Sequence, residues 1–235
     1  ACGRDWSSLF FRTDHHWTPE AGFLACQTIA ETLRRDYGFT IPGKYTDERF
    51  FTRTFYSDYF LGSQGKRVGS LYAGADDITL YTPKFDSELT YSCPAYGFTR
   101  TGPFETSVCF PERVAQQDWF NGNPYTYYAG GDYPIATITN HKNPDGPRVV
   151  LLRDSFACAL TPFLALSCGE LITIDLRYFH DDLLSYVDWL EPDVVLVMYT
   201  AGSLALDPLF DFFPAGDFCL DTYQSAPPIA QKPEL

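Results

Sequence analysis

Apolar and polar positions alternate along this chain in two rhythms, and the changes between them predict its elements. Between Pro19 and Tyr37 the apolar residues Phe23, Ile29, Ala30 and Leu33 recur at helical spacing. Thr18 suits the N-cap of that helix, Pro19 its first position and Glu20 its positive end; Arg34, Arg35 and Gly38 mark its stop. The run DHHW, Asp14 to Trp17, therefore lies in the strand or loop entering the helix. From Ile41 to about Tyr128, short alternating stretches such as DITLYT (Asp77 to Thr82) and Glu88 to Ser92 sit among Gly, Pro, Thr, Tyr and Asp. That mixture predicts β-rich, loop-rich structure with few helices. Ile135 to Thr139 predicts a short strand, and Val149 to Leu152 an apolar, fully buried one. Ser155 opens a helical pattern to about Leu166; a strand over Leu171 to Leu176, a helix over Asp181 to Leu190 and a strand over Val194 to Met198 follow.

Strands alternating with helices predict parallel pairing in a layered α/β sheet, with ligands beyond the carboxyl ends of the strands. Ser155, Arg177 and Thr200 fall at those ends. The expected organisation is one α/β domain over residues 1–235, with 41–128 as a β-rich insertion or cap over the site. Gly62, Gly65 and Gly69 in LGSQGKRVGS do not have the spacing of a phosphate-cradling loop, and no helical pattern follows them.

Composition narrows the function classes. The chain has 235 residues, 45% of them hydrophobic, which suffices for a sizeable core. A net charge of −13 without a basic tract argues against nucleic acid or an anionic membrane as partner. No apolar run is long enough to span a bilayer. The 17% aromatic content suits sugar rings and cores alike. Seven cysteines without CxxC spacing predict neither a zinc site nor a full disulfide framework. Cys26 and Cys158 read as buried thiols on helix faces, and Cys93 with Cys109, flanking a turn-rich stretch, is the expected pair. Ala1 to Phe11 already reads as mid-domain sequence, without a signal-peptide pattern.

Ser155 is the candidate for chemistry. At a strand-to-helix turn, outward-pointing amides stabilise the negative charge that a nucleophile's attack creates; the same position also suits a plain N-cap. A serine nucleophile needs a base, and the histidines are His15, His16, His141 and His180. In extended chain Asp14 and His16 face one side, so Asp14 would orient His16 while His15 faces away. A polar loop capping the helix is the plain alternative. Metal binding by Asp14, His15 and His16 with Asp132 or His141 lacks the spacing of a ligand motif, so no metal or cofactor is expected. Asp154 beside Ser155 reads as a hydrogen-bonder behind the reacting groups rather than the triad acid, since immediate neighbours rarely aim at the same histidine. Arg177 either pairs with Asp175 or Asp154 or steadies an anion at the site. Gly130 and Gly131 form an ordinary turn or offer backbone N–H groups to an oxyanion.

Together TDHHWTPEAGF, GGDYP, VVLLRDSFACALTPFLA and IDLRYFH, with GSQGKRVG and DDITLYTPKF, resemble the DHHW protein family of bacteria. That family is related to the alginate O-acetylation proteins and stands among the SGNH-hydrolase-like folds. The resemblance implies a three-layer α/β/α, flavodoxin-like parallel sheet. It maps the acid and base to Asp14 and His16, the nucleophile to Ser155 and a nearby arginine to Arg177. Gly131 and Asn140 are the candidate oxyanion donors, and Thr200 stands where relatives are expected to carry Asn. The implied activity is that of a Ser-His-Asp ester hydrolase or O-acetyltransferase acting on acetylated extracellular or cell-surface polysaccharide. Such a chain is exported to the extracellular space or cell envelope, its signal lying outside this stretch. The rival reading is a catalytically silent carbohydrate-binding or envelope protein, marked by a Ser155 hydroxyl beyond the reach of His16.

Overall fold

The computed structural model describes residues 6–203. Its eight strands are β1 (Phe51–Phe60), β2 (Asp76–Pro83), β3 (Leu89–Cys93), β4 (Phe98–Gly102), β5 (Ile135–Asn140), β6 (Arg148–Arg153), β7 (Glu170–Ile174) and β8 (Val194–Met198). The helices are α1 (Pro19–Tyr37), α2 (Ser63–Val68), α3 (Ser70–Ala73), α4 (Phe104–Ser107), α5 (Glu112–Ala115), α6 (Thr161–Ser167) and α7 (Leu183–Leu190).

Helix α1 begins and ends where the sequence predicts. The Thr18 hydroxyl accepts the Ala21 amide at 3.3 Å, and Gly38 closes the helix in the left-handed conformation at φ 75°. Its buried stripe of Phe23, Cys26, Ala30 and Leu33 packs on α6 and on the 3-10 turn Ser155–Ala159. Gly22 permits that approach, because a Cβ there would meet the Ala159 carbonyl oxygen at 2.5 Å. The first turn of α1 is thereby pressed against the segment carrying Ser155.

The main sheet has six strands in the order β4-β3-β5-β7-β6-β8, and it is mixed, which corrects the expected parallel sheet. Among the described residues, parallel pairs occur only between β6 and its neighbours β7 and β8. Those are the places where α6 and α7 supply the long crossover that parallel strands require. Strands β3, β4 and β5 join antiparallel. Segment 41–128 is divided between the two sheets. Its β3 and β4 extend the main sheet, while β1 and β2 form a separate antiparallel ribbon. Alternation along β6 sends Val149 and Leu151 into the large core shared with α1 and α6, and Val150 and Leu152 into a smaller core with Leu183 and Tyr186 of α7.

Two local expectations change. The helix predicted from Ser155 to Leu166 breaks into the 3-10 turn Ser155–Ala159 and α6, because Pro162 has no N–H to continue a ladder and instead opens a new helix. LGSQGKRVGS contains α2 and ends on the first residue of α3, with Gly62 as the N-cap of α2 and Gly69 between the two at φ 81°.

Candidate active site

The turn after β6 is fixed from several sides. Asp154 accepts the Phe156 amide at 3.0 Å on one oxygen, and the Thr200 amide at 2.9 Å with the Ser203 hydroxyl at 2.7 Å on the other. It therefore caps the Ser155 turn and ties it to the chain leaving β8, a hydrogen-bonding role apart from the Asp14–His16 pair. The Tyr125 hydroxyl donates to the Ser155 carbonyl at 3.1 Å and the Phe156 carbonyl at 2.8 Å. From the other side the Trp17 indole donates to the Phe156 carbonyl at 2.7 Å.

Onto this turn the segment Thr13 to Trp17 brings the histidine. The reach from Asp14 to His16 is a bend, not the extended alternation predicted: one Asp14 oxygen accepts both the His16 amide at 2.9 Å and His16 Nδ1. A short aspartate bonding the backbone two residues ahead is the usual way such a bend closes. His15 consequently does not face away. Its ring centroid lies 3.8 Å from that of His16, and its Nδ1 is 3.2 Å from the Ser63 hydroxyl. On its free side His16 presents Nε2 to the Ser155 Oγ at 2.9 Å, and its ring stacks on Tyr125 with centroids 4.0 Å apart. Asp14, His16 and Ser155 thus form one hydrogen-bonded line across 139 residues of sequence separation.

The other Asp14 oxygen accepts the Ser63 amide at the start of α2, at 2.7 Å. Burial alone would raise this carboxyl's pKa, but the hydrogen bond and charge of His16 with the Ser63 and His16 amides bring it down to about 2. His15, half exposed, is shifted down by partial burial and by the neighbouring His16. Buried Asp76, the first residue of β2, holds the segment from below. It accepts the Arg12 amide at 2.9 Å, the Thr13 amide at 2.8 Å and the Thr13 hydroxyl at 2.6 Å. Thr13 in turn accepts the amides of Gly62 and Gly65 at 2.8 and 2.9 Å, joining α2 to the same clamp.

Beside the line stands a charge-balanced group. Fully buried Arg153 donates to Asp132 at 3.1 Å and to the Gly131 carbonyl at 2.6 Å. Arg177 donates to Asp175 at 2.6 Å and to Asp132 at 2.8 Å, so the expected pairing with Asp175 is present and Asp132 bridges both arginines. Burial raises the Asp175 carboxyl, against the lowering effect of Arg177 and Arg153. Arg177 lies at this edge of the sheet, whereas Asn140 does not. Asn140 ends β5, which runs antiparallel to β7, and so sits at the far end of the sheet with its amide on the Ala165 and Leu166 carbonyls at 3.3 and 3.0 Å. It closes the C-terminus of α6 and is no oxyanion donor. Gly131 engages Arg153 through its carbonyl.

Asp14, His15 and His16 bring ligand atoms within 4.8 Å of one another. Two of those atoms are already bonded to each other, Asp132 is engaged by the arginines, and His141 stands at Thr90 beyond the far end of β5. The expected Cys93–Cys109 pair does not form. Both are buried free thiols, with Cys93 donating to the Ile135 carbonyl at 3.3 Å, and Cys26, Cys158 and Cys168 are free and buried as well. Cys2 and Cys219 lie outside the described residues. Sequence reasoning missed Trp17, Ser63, Asp76 and Tyr125. None has a characteristic spacing to the site; only the place of Trp17 within DHHW gave a signal.

No helix among the described residues is long and apolar enough to cross a membrane. No curated protein matches the chain significantly. Among solved structures, a DHHW family protein from Eubacterium siraeum is similar in fold, with TM-score 0.67 and 19% identity over 89% of this chain and 65% of that one. PatB1 of Bacillus cereus, solved with a sulfonyl adduct, has TM-score 0.66 and 27% identity over 84% of this chain and 62% of that one. A second PatB1 structure gives TM-score 0.64 and 28% identity, covering 84% and 64%. The chain spans slightly less than two thirds of the length of each of these structures. The model of the DHHW protein matches residues 4–172, well over half of the sequence, and the chain belongs to that family.

Proposed function

We propose that this protein is a serine-dependent ester hydrolase or O-acetyltransferase acting on acetylated glycan, with Ser155 as nucleophile, His16 as base and Asp14 as the group that orients His16. The observation that carries this reading is the continuous line Asp14–His16–Ser155, with Nε2 2.9 Å from Oγ. Asp14 stays ionised and fixes the tautomer with a proton on Nδ1, which leaves Nε2 to take the hydroxyl proton. As that proton leaves, Oγ attacks the ester carbonyl and a C–O bond forms. The carbonyl oxygen becomes an oxyanion, held by the Ser155 amide and a second donor. The imidazolium then protonates the departing sugar oxygen, the old C–O bond breaks and an acetyl-enzyme remains. Water or a sugar hydroxyl repeats the sequence with His16 as base, releasing acetate or a newly acetylated sugar and restoring Ser155.

The fold supports this reading, since PatB1, 27% identical, was captured with a sulfonyl adduct, the kind of product sulfonyl electrophiles give with activated nucleophiles. A silent fold called for Ser155 beyond the reach of His16, and the 2.9 Å separation favours the enzyme. The test is hydrolysis of 4-nitrophenyl acetate with mapping of a serine-directed phosphonate. Ser155→Ala should lower kcat at least ~10³-fold, and the label should fall on Ser155. Full activity in Ser155→Ala, or labelling at another residue, overturns the assignment.

A further inference from the structure

One buried side chain touches both the base and the backbone of the nucleophile. Tyr125 belongs to the 3-10 turn Pro124–Tyr127, whose four residues are all buried, and is itself 2% exposed. Packing fixes where its ring stands. Phe11 meets it edge-on with centroids 6.4 Å apart, and Phe60 of β1 meets Phe11 edge-on at 4.9 Å. The chain leaving the turn is held as well, since the Phe110 amide donates to the Tyr127 carbonyl at 2.8 Å. From this place the ring lies against the His16 imidazole, 4.0 Å between centroids and 18° between planes. Its hydroxyl reaches past the histidine to the Ser155 and Phe156 carbonyls.

The stack supplies a constraint that the hydrogen bond to Asp14 leaves open. The outer torsion of a histidine side chain is broad, with no sharp staggered wells. Asp14 holds the ring at Nδ1, so a tilt of the plane would carry Nε2, on the other side of the ring, away from Oγ. His15 stands 3.8 Å from the centre of the same imidazole, tilted by 38°. Carbon atoms do not approach much below ~3.5 Å, so two rings this near cannot share one face. His15 and Tyr125 therefore take opposite faces of His16. The His15 side chain is half exposed and Tyr125 is enclosed, which makes Tyr125 the fixed wall of the pair.

The hydroxyl acts on the nucleophile's side. The Phe156 carbonyl that it shares with the Trp17 indole takes donors at 2.8 and 2.7 Å, and the Ser155 carbonyl takes the hydroxyl alone of these two, at 3.1 Å. Burial holds the phenol well above its ordinary range, so it keeps its proton and stays a donor through neutral pH. The plane of the base and the peptide of the nucleophile thus answer to one rigid side chain.

We propose that Tyr125 is a positioning residue, its ring setting the plane of His16 and its hydroxyl the backbone of Ser155, so that one side chain registers base against nucleophile; this rests on the ester chemistry assigned above. Tyr125→Phe keeps the ring and drops the hydroxyl, and Tyr125→Leu drops both. Hydrolysis of 4-nitrophenyl acetate is measured per active site, counted by exhaustive phosphonate labelling. For each site kcat should fall about tenfold in Tyr125→Phe and about 10²-fold in Tyr125→Leu, with KM held within about twofold. A residue that merely filled space would lower the count of sites and leave kcat per site as it was. The ring is read separately, without turnover, by NMR of the His16 ring protons, assigned by their absence in His16→Gln. These resonances should keep their positions in Tyr125→Phe and move downfield in Tyr125→Leu, where the ring current is lost. The wild-type spectrum should also show contacts between the His16 and Tyr125 rings, which decides the stack even where Tyr125→Leu does not fold. Undiminished kcat per site in Tyr125→Phe, equal loss in both variants, loss in KM alone, or absence of the ring contacts overturns the proposal. Absence of hydrolysis by a wild type that shows those contacts would instead count against the ester chemistry.

Discussion

The backbone amide of Ser63 donates to the Asp14 carboxylate at 2.7 Å, so the first turn of α2 holds the acid that orients His16. The contact depends on the residue before it. A Cβ at Gly62 would meet the Asp14 Cβ at 2.2 Å and its carboxylate at 2.6 Å. Gly62→Ala should therefore displace Asp14 and lower kcat for an aryl acetate about 10²-fold, the usual cost of a misplacement of about an ångström. Gly43→Ala, which adds its methyl to open space, is the control and should leave kcat unchanged. Equal activity of the two variants would refute the close approach.

Asp14 also gives the fold an acid-side dependence. Its pKa falls from the ordinary 3.8 to about 2, against the effect of its burial, because His16 and two amides favour the charged form. A carboxyl lowered in the folded state stabilises it fully above the unfolded pKa and loses that contribution as pH falls through the folded one. The contribution is about 2 kcal/mol, lost between roughly pH 4 and pH 2. In urea titrations at pH 6 and pH 2, the stability advantage of wild type over Asp14→Asn should shrink by about that amount. A constant difference would mean that Asp14 is not held ionised.

Asp76 touches none of the reacting atoms, yet it fixes the segment that carries them. Asp76→Asn places an NH₂ among donors from Arg12 and Thr13 and should loosen the approach of His16 to Ser155. The expected result is a loss of about 10²-fold in kcat for 4-nitrophenyl acetate with little change in KM. A loss confined to KM, with kcat intact, would contradict this positioning role.

The buried cysteines should be chemically silent. Burial raises the thiol pKa of Cys26, Cys93 and Cys158 to about 12, and that of Cys109 and Cys168 is raised as well. Iodoacetamide at pH 8 should leave all five unmodified in the native protein, and each should react once it is denatured. A tryptic fragment linking Cys93 to Cys109 would disprove the free-thiol state.

What the sequence made legible follows from which forces act locally. Helix α1 was readable to its ends because Thr18, Pro19 and Gly38 act on neighbouring backbone groups. Strands β6 and β8 were readable because a continuous apolar run has few other uses. Sheet direction was not, since β5 has the same alternation whether it meets β7 parallel or antiparallel. Asn140 was misplaced for that reason: reversing one strand carries its end to the opposite edge. At the candidate site, chemistry, spacing and the family resemblance single out Asp14, His16 and Ser155, which the structure brings into one hydrogen-bonded line. The bend joining the first two and the supports from Ser63, Asp76 and Tyr125 were hidden, because they depend on approaches from elements far away in sequence.

The long reach between His16 and Ser155 has a kinetic consequence. The line closes only after segments 139 residues apart have met, and the Ser155 turn is itself tied to Thr200 and Ser203 beyond β8. Contacts of such sequence separation carry the largest loop-closure cost and form late in folding. A chain that has organised only its local helices and hairpins therefore lacks the hydrogen-bonded line Asp14–His16–Ser155. The line proposed to activate Ser155 is thus among the last features of the fold to be assembled, when these distant segments are joined.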